Sequence, residues 1–255
     1  MSGIGRIEHA ALSHEGRVRT NNEDAFCVRS DEGLFLVADG MGGHENGEWA
    51  SAAIAEAFRT VALPADFDAA SQAVAAALHR ANATIHAEAE SRGLQMGSTA
   101  VALLVRDGRF AVLWVGDSRA YLRRDGQLFQ LSHDHTQVQE MIDRGLLMPE
   151  DAEGHPMSHV LARAMGVREH VEVDVIADEV ESGDVFLLCS DGLTARVEDA
   201  EIAAVLGDGD ADSRVRRLVE LTLERGAPDN VTVISVGVPQ TTLLNLNQSL
   251  HVVAS

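Results

Sequence analysis

The run Leu34-Phe35-Leu36-Val37-Ala38-Asp39-Gly40-Met41-Gly42-Gly43 sets an apolar stretch directly against a carboxylate and a glycine loop. Gly33 to Ala38 reads as a short strand, and Asp39 as its exit, followed by three glycines that permit backbone conformations closed to other residues. The arrangement returns at Val115-Gly116-Asp117-Ser118-Arg119 and Leu188-Cys189-Ser190-Asp191-Gly192, and in reverse at Pro228-Asp229-Asn230 ahead of Val231 to Val236. Four aspartates thus mark strand ends. A turn aspartate is ordinarily just a hydrogen-bonding turn former. Four with adjacent glycine or proline also suit hard divalent cations, which take oxygen ligands and accept a main-chain carbonyl where glycine lets it approach.

Working outward, further strands are expected at Thr99 to Arg106, Arg109 to Val115, Ala120 to Arg123, Gln127 to Leu131, Val171 to Ala177, Asp184 to Cys189 and Asn230 to Gly237. Asp107-Gly108 and Asp125-Gly126 are hairpin turns between paired stretches, which argues for antiparallel meanders. Helical patterns run from Asn46 to Ala62, Asp66 to Arg92, Thr136 to Gly145, Asp199 to Leu206 and Ala211 to Arg225. This order predicts an α+β chain with sheet packed on sheet and helices outside. His133 to His170, punctuated by glycine and proline, reads as an irregular excursion of the kind that borders sites.

With 255 residues, 45% of them hydrophobic, the chain can build one sizeable core, so a single domain is expected. Forty acidic against twenty basic residues give a formal charge of −20, which repels phosphate backbones and excludes nucleic-acid binding. Most of these acids form a solvated surface. Cys27 and Cys189 have neither zinc spacing nor a disulfide framework and read as buried thiols. No apolar run approaches a membrane span and the amino terminus lacks a leader pattern, so a cytoplasmic protein is expected. Pro239 to Ser255 carries no charged side chain; it reads as a frayed terminus, with Leu243, Leu246 and Leu250 as the basis for a rival docking role.

Six short motifs then occur in one order: Arg19-Thr20-Asn21-Asn22-Glu23-Asp24, Asp39-Gly40-Met41-Gly42-Gly43, Gly97-Ser98-Thr99, Gly116-Asp117-Ser118-Arg119, Ser190-Asp191-Gly192 and Pro228-Asp229-Asn230. From about residue 7 to 238 the chain resembles the bacterial branch of the type 2C metal-dependent serine/threonine phosphatases. The resemblance implies a four-layer α-β-β-α sandwich whose catalytic domain spans 1–238, with a flap at about 133–170 and the tail at 239–255. It implies two manganese or magnesium ions, with Asp39 bridging them, the Gly40 carbonyl completing one, and Asp191 and Asp229 binding the other. Asp117 would help to hold a third, weaker ion. Glu23, Asp24 and Asn230 would support the metal-bound waters, and Arg19 would grip the substrate phosphate. A water shared by the cations would lose its proton and attack phosphorus in line. The implied partners are phosphorylated proteins, namely a bacterial serine/threonine kinase and its substrates.

Four features complicate the resemblance. Many eukaryotic members carry histidine two places after the bridging aspartate, where this chain has Met41; His44 reads as a cap or surface residue, not as a replacement. His133-Asp134-His135 has the alternation of a strand chelate, but its surroundings resemble the entrance to the family's flap. Many bacterial relatives have a basic residue where this chain has Ser158. Arg17, near Arg19, reads as a surface ion pair. The competing functions are a catalytically silent signalling module of the same fold, a phosphatase of an anti-sigma-type regulator, and a two-metal hydrolase of nucleotides.

Overall fold

A computed structural model describes residues 7–43, 45–152 and 154–239. Its elements are, in order, β1 (Glu8–His14), β2 (Asp24–Arg29), β3 (Leu34–Met41), α1 (Glu45–Thr60), α2 (Phe67–Arg92), β4 (Gly97–Ser98), β5 (Ala100–Arg106), β6 (Arg109–Val115), β7 (Arg119–Arg124) and β8 (Gln127–Gln130), followed by α3 (Gln137–Asp143), β9 (Asp174–Glu179), β10 (Val185–Cys189), α4 (Asp191–Thr194), α5 (Asp199–Leu206), α6 (Ala211–Glu224) and β11 (Val231–Gly237). They form two antiparallel sheets, ordered β1-β11-β10-β7-β8 and β2-β3-β5-β6-β9, with the short β4 paired to β3.

Three apolar layers explain why the central strands are apolar on both faces. Between the sheets, Phe35, Val37, Leu103 and Phe110 meet Leu122, Phe186, Leu188 and Ile234; the rings of Phe110 and Phe186 lie 4.9 Å apart in the tilted arrangement aromatic pairs favour. The other face of the second sheet buries Leu34, Leu36 and Leu113 against Ile54 and Phe58 of α1 and Val74, Leu78 and Ile85 of α2. The other face of the first sheet buries Leu187 and Val233 against Leu193, Ile202, Val215 and Leu218 of α4 to α6. This is the α-β-β-α layering the resemblance implies.

Both predicted hairpin turns are present. Asp107, Gly108, Asp125 and Gly126 all take positive φ, the conformation that matches strand twist in two-residue turns. Both cysteines are free and buried, and burial pushes the Cys189 thiol up to about 12. No helix among the described residues is long and apolar enough to cross a membrane. The tail positions 240–255, including the three leucines, lie outside the described residues, as does His44.

The structure corrects several boundaries. β3 does not end at Asp39; it continues to Met41 because β4 pairs Gly40 with Ser98 and Met41 with Gly97. The strand expected from Val171 starts at Asp174, since Val171 and Val173 pack against the helix-side core instead of pairing. β1 and β2 were not among the expected strands: β1 pairs with β11 at the far end of the chain, and Ala25 to Val28 of β2 pair with the neighbouring β3. Among the described residues Arg17 makes no ion pair: its Nε donates to the Leu223 carbonyl at 2.8 Å.

The excursion between β8 and β9 is tied down at both ends. At its start, the His135 amide donates to the Gly116 carbonyl (3.0 Å) and the Trp114 indole to the His133 carbonyl (2.8 Å). At its return, Asn82 of α2, only 1% exposed, accepts from the Gly166 amide (2.7 Å) and donates to the Arg168 and Glu169 carbonyls (both 3.0 Å). Leu146 and Met148, between these anchors, are 68% and 58% exposed. Because the buried Asn82 side chain bonds three main-chain groups, Asn82→Ala should lower stability by about 2 kcal/mol in urea unfolding, and limited proteolysis should cut first between residues 133 and 170; an unchanged midpoint would show that these bonds are dispensable.

Candidate metal centre

The site lies at one end of the sandwich, where β3 and β10 finish, β2 and β11 begin, and β6 turns into β7. Register places Asp24 directly opposite Asp39 across β2 and β3, two like charges on one pair of strands. Asp191 opens α4 immediately after β10, close enough for its charge to raise Asp39. Asp229 precedes β11 and Asp117 lies in the β6–β7 turn. All except Asp24 line a cleft of about 990 Å³, which Arg19, Glu23, Gly40 and Asn230 also line. The sequence-predicted residues therefore meet at one place.

Their titration reflects that crowding. Burial, followed by the charges of Asp24, Asp191 and Asp117, holds Asp39 well above the usual carboxylate range. Burial and then Asp229 raise Asp191, while burial and then Asp191 raise Asp117 to about 7. Asp24 is raised to about 7, chiefly by burial, against the lowering effect of hydrogen bonds from Thr232 and Ser190. By strict geometry only Ser190 donates to it, at 2.8 Å to Oδ2, while Oδ1 is buried without a partner.

Small and hydroxylic residues make this convergence sterically possible. A Cβ at Gly47 would strike the Glu23 carboxylate, and one at Gly40 would strike the Gly47 carbonyl, so these glycines let α1, β3 and the Glu23 loop touch. A Cβ at Gly192 would overlap the Asn230 carbonyl, which lets α4 approach the Asp229 loop. Asn230 accepts from the Glu23 amide (2.8 Å) and donates to the Glu15 and Asn21 carbonyls (both 2.9 Å), so it fastens the Arg19-to-Asp24 loop. Ser51 donates to the Glu23 carbonyl at 2.6 Å. Thr99 accepts from the Asp39 amide (3.1 Å) and meets Ser118 at 2.6 Å. Gly97-Ser98-Thr99 and Ser190 stood in motifs without an assigned task, and Ser51 carried no signal, because each acts through a partner remote in sequence.

Arg19 donates to Asp229 Oδ2 at 2.8 Å and remains 53% exposed at the side chain. Its hydrogen bond with Asp229 holds its pKa above the ordinary value, so its charge is permanent. Arg119 clamps Asp134 through Nε and Nη2, at 3.0 and 2.7 Å, and buttresses the cleft wall. The His133 and His135 side chains do not converge. His135 accepts from the Gly116 amide through Nδ1 and lies 3.2 Å from Asp174 through Nε2, whereas His133 reaches Asp143. His159, which the sequence reading passed over beside Ser158, lines the cleft close enough for its charge to act on Asp191.

No three His, Cys, Asp or Glu side chains among the described residues close around one point tightly enough to enclose an ion unaided. The donor set nevertheless fits a hard divalent cation. It is all oxygen, it brings together buried carboxyls that repel when ionised, and the main chain of Gly40 lines the same cleft. Ions of this kind complete their octahedra with water and need few protein ligands.

The profile of the family described as Protein phosphatase 2C matches residues 13–232. The chain belongs to this family. It is 40% identical over 235 residues to the serine/threonine protein phosphatase PstP of Mycobacterium tuberculosis, covering 89% of this chain but only 44% of that relative's length. Among solved structures it is similar to Pseudomonas aeruginosa PppA, described as a key regulatory component of T6SS (TM-score 0.85, 41% identity, covering 91% of this chain and 98% of that one). It is also similar to the PstP catalytic domain in complex with two manganese ions (TM-score 0.80, 37% identity, covering 92% and 99%).

The raised carboxyls give a signed pH dependence. The folded chain retains protons that the unfolded chain releases above about pH 4, so their stabilisation is complete at low pH and is lost as pH rises through about 7. His135, lowered mainly by burial, acts in the opposite sense near its ordinary value, but it is one group against four. Metal-free protein should therefore melt at lower temperature at pH 7.5 than at 5.5, and manganese should raise the melting temperature mainly at pH 7.5; a melting temperature that rises with pH without metal would contradict this account.

Proposed function

We propose that the chain is a metal-dependent phosphatase of phosphoserine and phosphothreonine in proteins. The observation that carries the reading is the convergence of Asp39, Asp117, Asp191 and Asp229 in one cleft that an exposed arginine also lines. Manganese or magnesium would be held by Asp39, the Gly40 carbonyl, Asp191 and Asp229 as a two-ion centre, with Asp117 contributing to a third position. When bound, such ions supply acidification of water and neutralisation of phosphoryl charge.

This chain's own residues do the rest. Asp39 and Asp191 fix the reacting centre against both sheets, because one belongs to β3 and the other follows β10. Glu23, Asp24 and Asn230 orient water through a loop fastened by Asn230. Arg19 takes the phosphate: its pairing with Asp229 aims the guanidinium into the cleft, and the planar fork can span two phosphoryl oxygens. Met41 cannot transfer a proton to the leaving alkoxide, so protonation falls to water or another group in the cleft. Residues 133–170 act as a flap over the site, with Gln139, Ser158 and His159 facing the substrate from that side.

The acidic ligands argue against a silent module, because none of the four strand-end aspartates is missing. The biological partners we assign are a serine/threonine kinase and the proteins it phosphorylates, in a cytoplasmic setting compatible with two free thiols.

Metal-stripped protein should release phosphate from a phosphothreonine peptide only after manganese is added. Asp191→Asn should lower kcat/KM by at least 100-fold, and Arg19→Ala should act mainly on KM. Wild-type protein that binds manganese yet leaves phosphopeptides intact would favour the silent module, whereas turnover of nucleotides alone would favour the nucleotide hydrolase.

A further inference from the structure

All twenty basic residues of the chain are arginines, set against forty acids, so an arginine without an acidic or carbonyl partner stands out. Three described arginines line the cleft. Arg19 is committed to Asp229 and Arg119 to Asp134. The guanidinium of Arg196 makes no hydrogen bond or ion pair within the described residues, and its side chain is exposed at the cleft wall just beyond Asp191.

The acids nearest in sequence to Arg196 are all engaged elsewhere. The Glu198 side chain caps α5, Asp199 accepts from the Tyr121 hydroxyl at 3.0 Å, and Glu201 is held by both Nη atoms of Arg225 at 2.6 and 2.7 Å. The backbone beneath Arg196 is also fixed. Its amide donates to the Leu193 carbonyl at 3.0 Å, its carbonyl accepts from Arg225 Nη1 at 2.6 Å, and Val197 beside it is buried. A rigid backbone thus presents a solvated, uncompensated cation at the rim of an acidic cleft.

We propose that Arg196 is a specificity-determining residue that contacts an anionic group carried by the substrate next to the phosphorylated side chain. Asp191, five residues earlier, lies at the reacting centre, so a group bound at Arg196 flanks the scissile phosphate. An arginine fork suits either a carboxylate or a second phosphate there. This inference rests on the phosphatase reading.

The test compares wild-type protein with Arg196→Gln, both with manganese, on p-nitrophenyl phosphate and three phosphothreonine peptides: one with neutral flanks, one with acidic flanks, and one with a second phosphorylated residue. In the variant, kcat/KM should fall by about 10-fold on the acidic or doubly phosphorylated peptide, through KM, while p-nitrophenyl phosphate and the neutral peptide change by less than about twofold. Whichever of the two anionic peptides loses more identifies the group. Arg196→Glu should turn the preference towards arginine-flanked peptides. An equal loss on all substrates would mean that Arg196 merely supports Asp191, and no loss on any would remove it from recognition; either overturns the proposal. Wild-type protein inert on all four substrates would instead overturn the phosphatase reading itself, and the proposal with it.

Discussion

Five carboxyl groups at one end of a β-sandwich impose the constraint on which the rest depends. Asp24 faces Asp39 across two strands, and Asp39 meets Asp191, which follows a strand of the opposite sheet, in one cleft. Charges so close and so buried cannot all ionise without compensation. The surrounding structure does little to relieve them: Ser190 reaches one oxygen of Asp24 and Arg19 reaches Asp229. The repulsion is sustained by the three apolar layers, which lock the four strand ends in register however unfavourable the charges they carry.

The scaffold around this cluster works mainly through backbone proximity. At Gly40 and Gly47, and again at Gly192, absent side chains let neighbouring chains touch, while Asn230 and Ser51 gather the Arg19-to-Asp24 loop. These contacts join segments roughly 200 residues apart in the case of Asn230 and Glu23. Such positioning differs from ligation: a ligand supplies charge, whereas these residues fix where the charge resides.

Much of this was legible in the sequence. The central strands announced themselves because both faces are buried, so β6 and α5 fall on the predicted bounds. The aspartates were legible because glycine or proline stands beside each. The edge strands β1 and β2 were not: β1 is defined by its partner β11 far along the chain, and the apolar part of β2, Ala25 to Val28, is only four residues long. Asp39 was read as ending its strand, since glycines usually interrupt pairing, yet here the glycine of Gly40 remains paired with Ser98. The bonds of Ser190 to Asp24 and of Ser51 to Glu23 were not foreseen, because hydrogen-bond partners between remote segments leave no local pattern.

The anchoring of the excursion between β8 and β9 bears on how the protein can diversify. Thr136 bridges Leu161, and the Ala162 amide returns to the His135 carbonyl at 2.8 Å, so the chain leaves and re-enters through adjacent points. Once the ends of a loop are held together, lengthening it adds little entropy of closure, about 0.6 kcal/mol per doubling. Insertions and substitutions between these points can therefore accumulate without disturbing the strand ends that carry the carboxyls. The carboxyl cluster and the loop beside it can, in this architecture, change independently of each other.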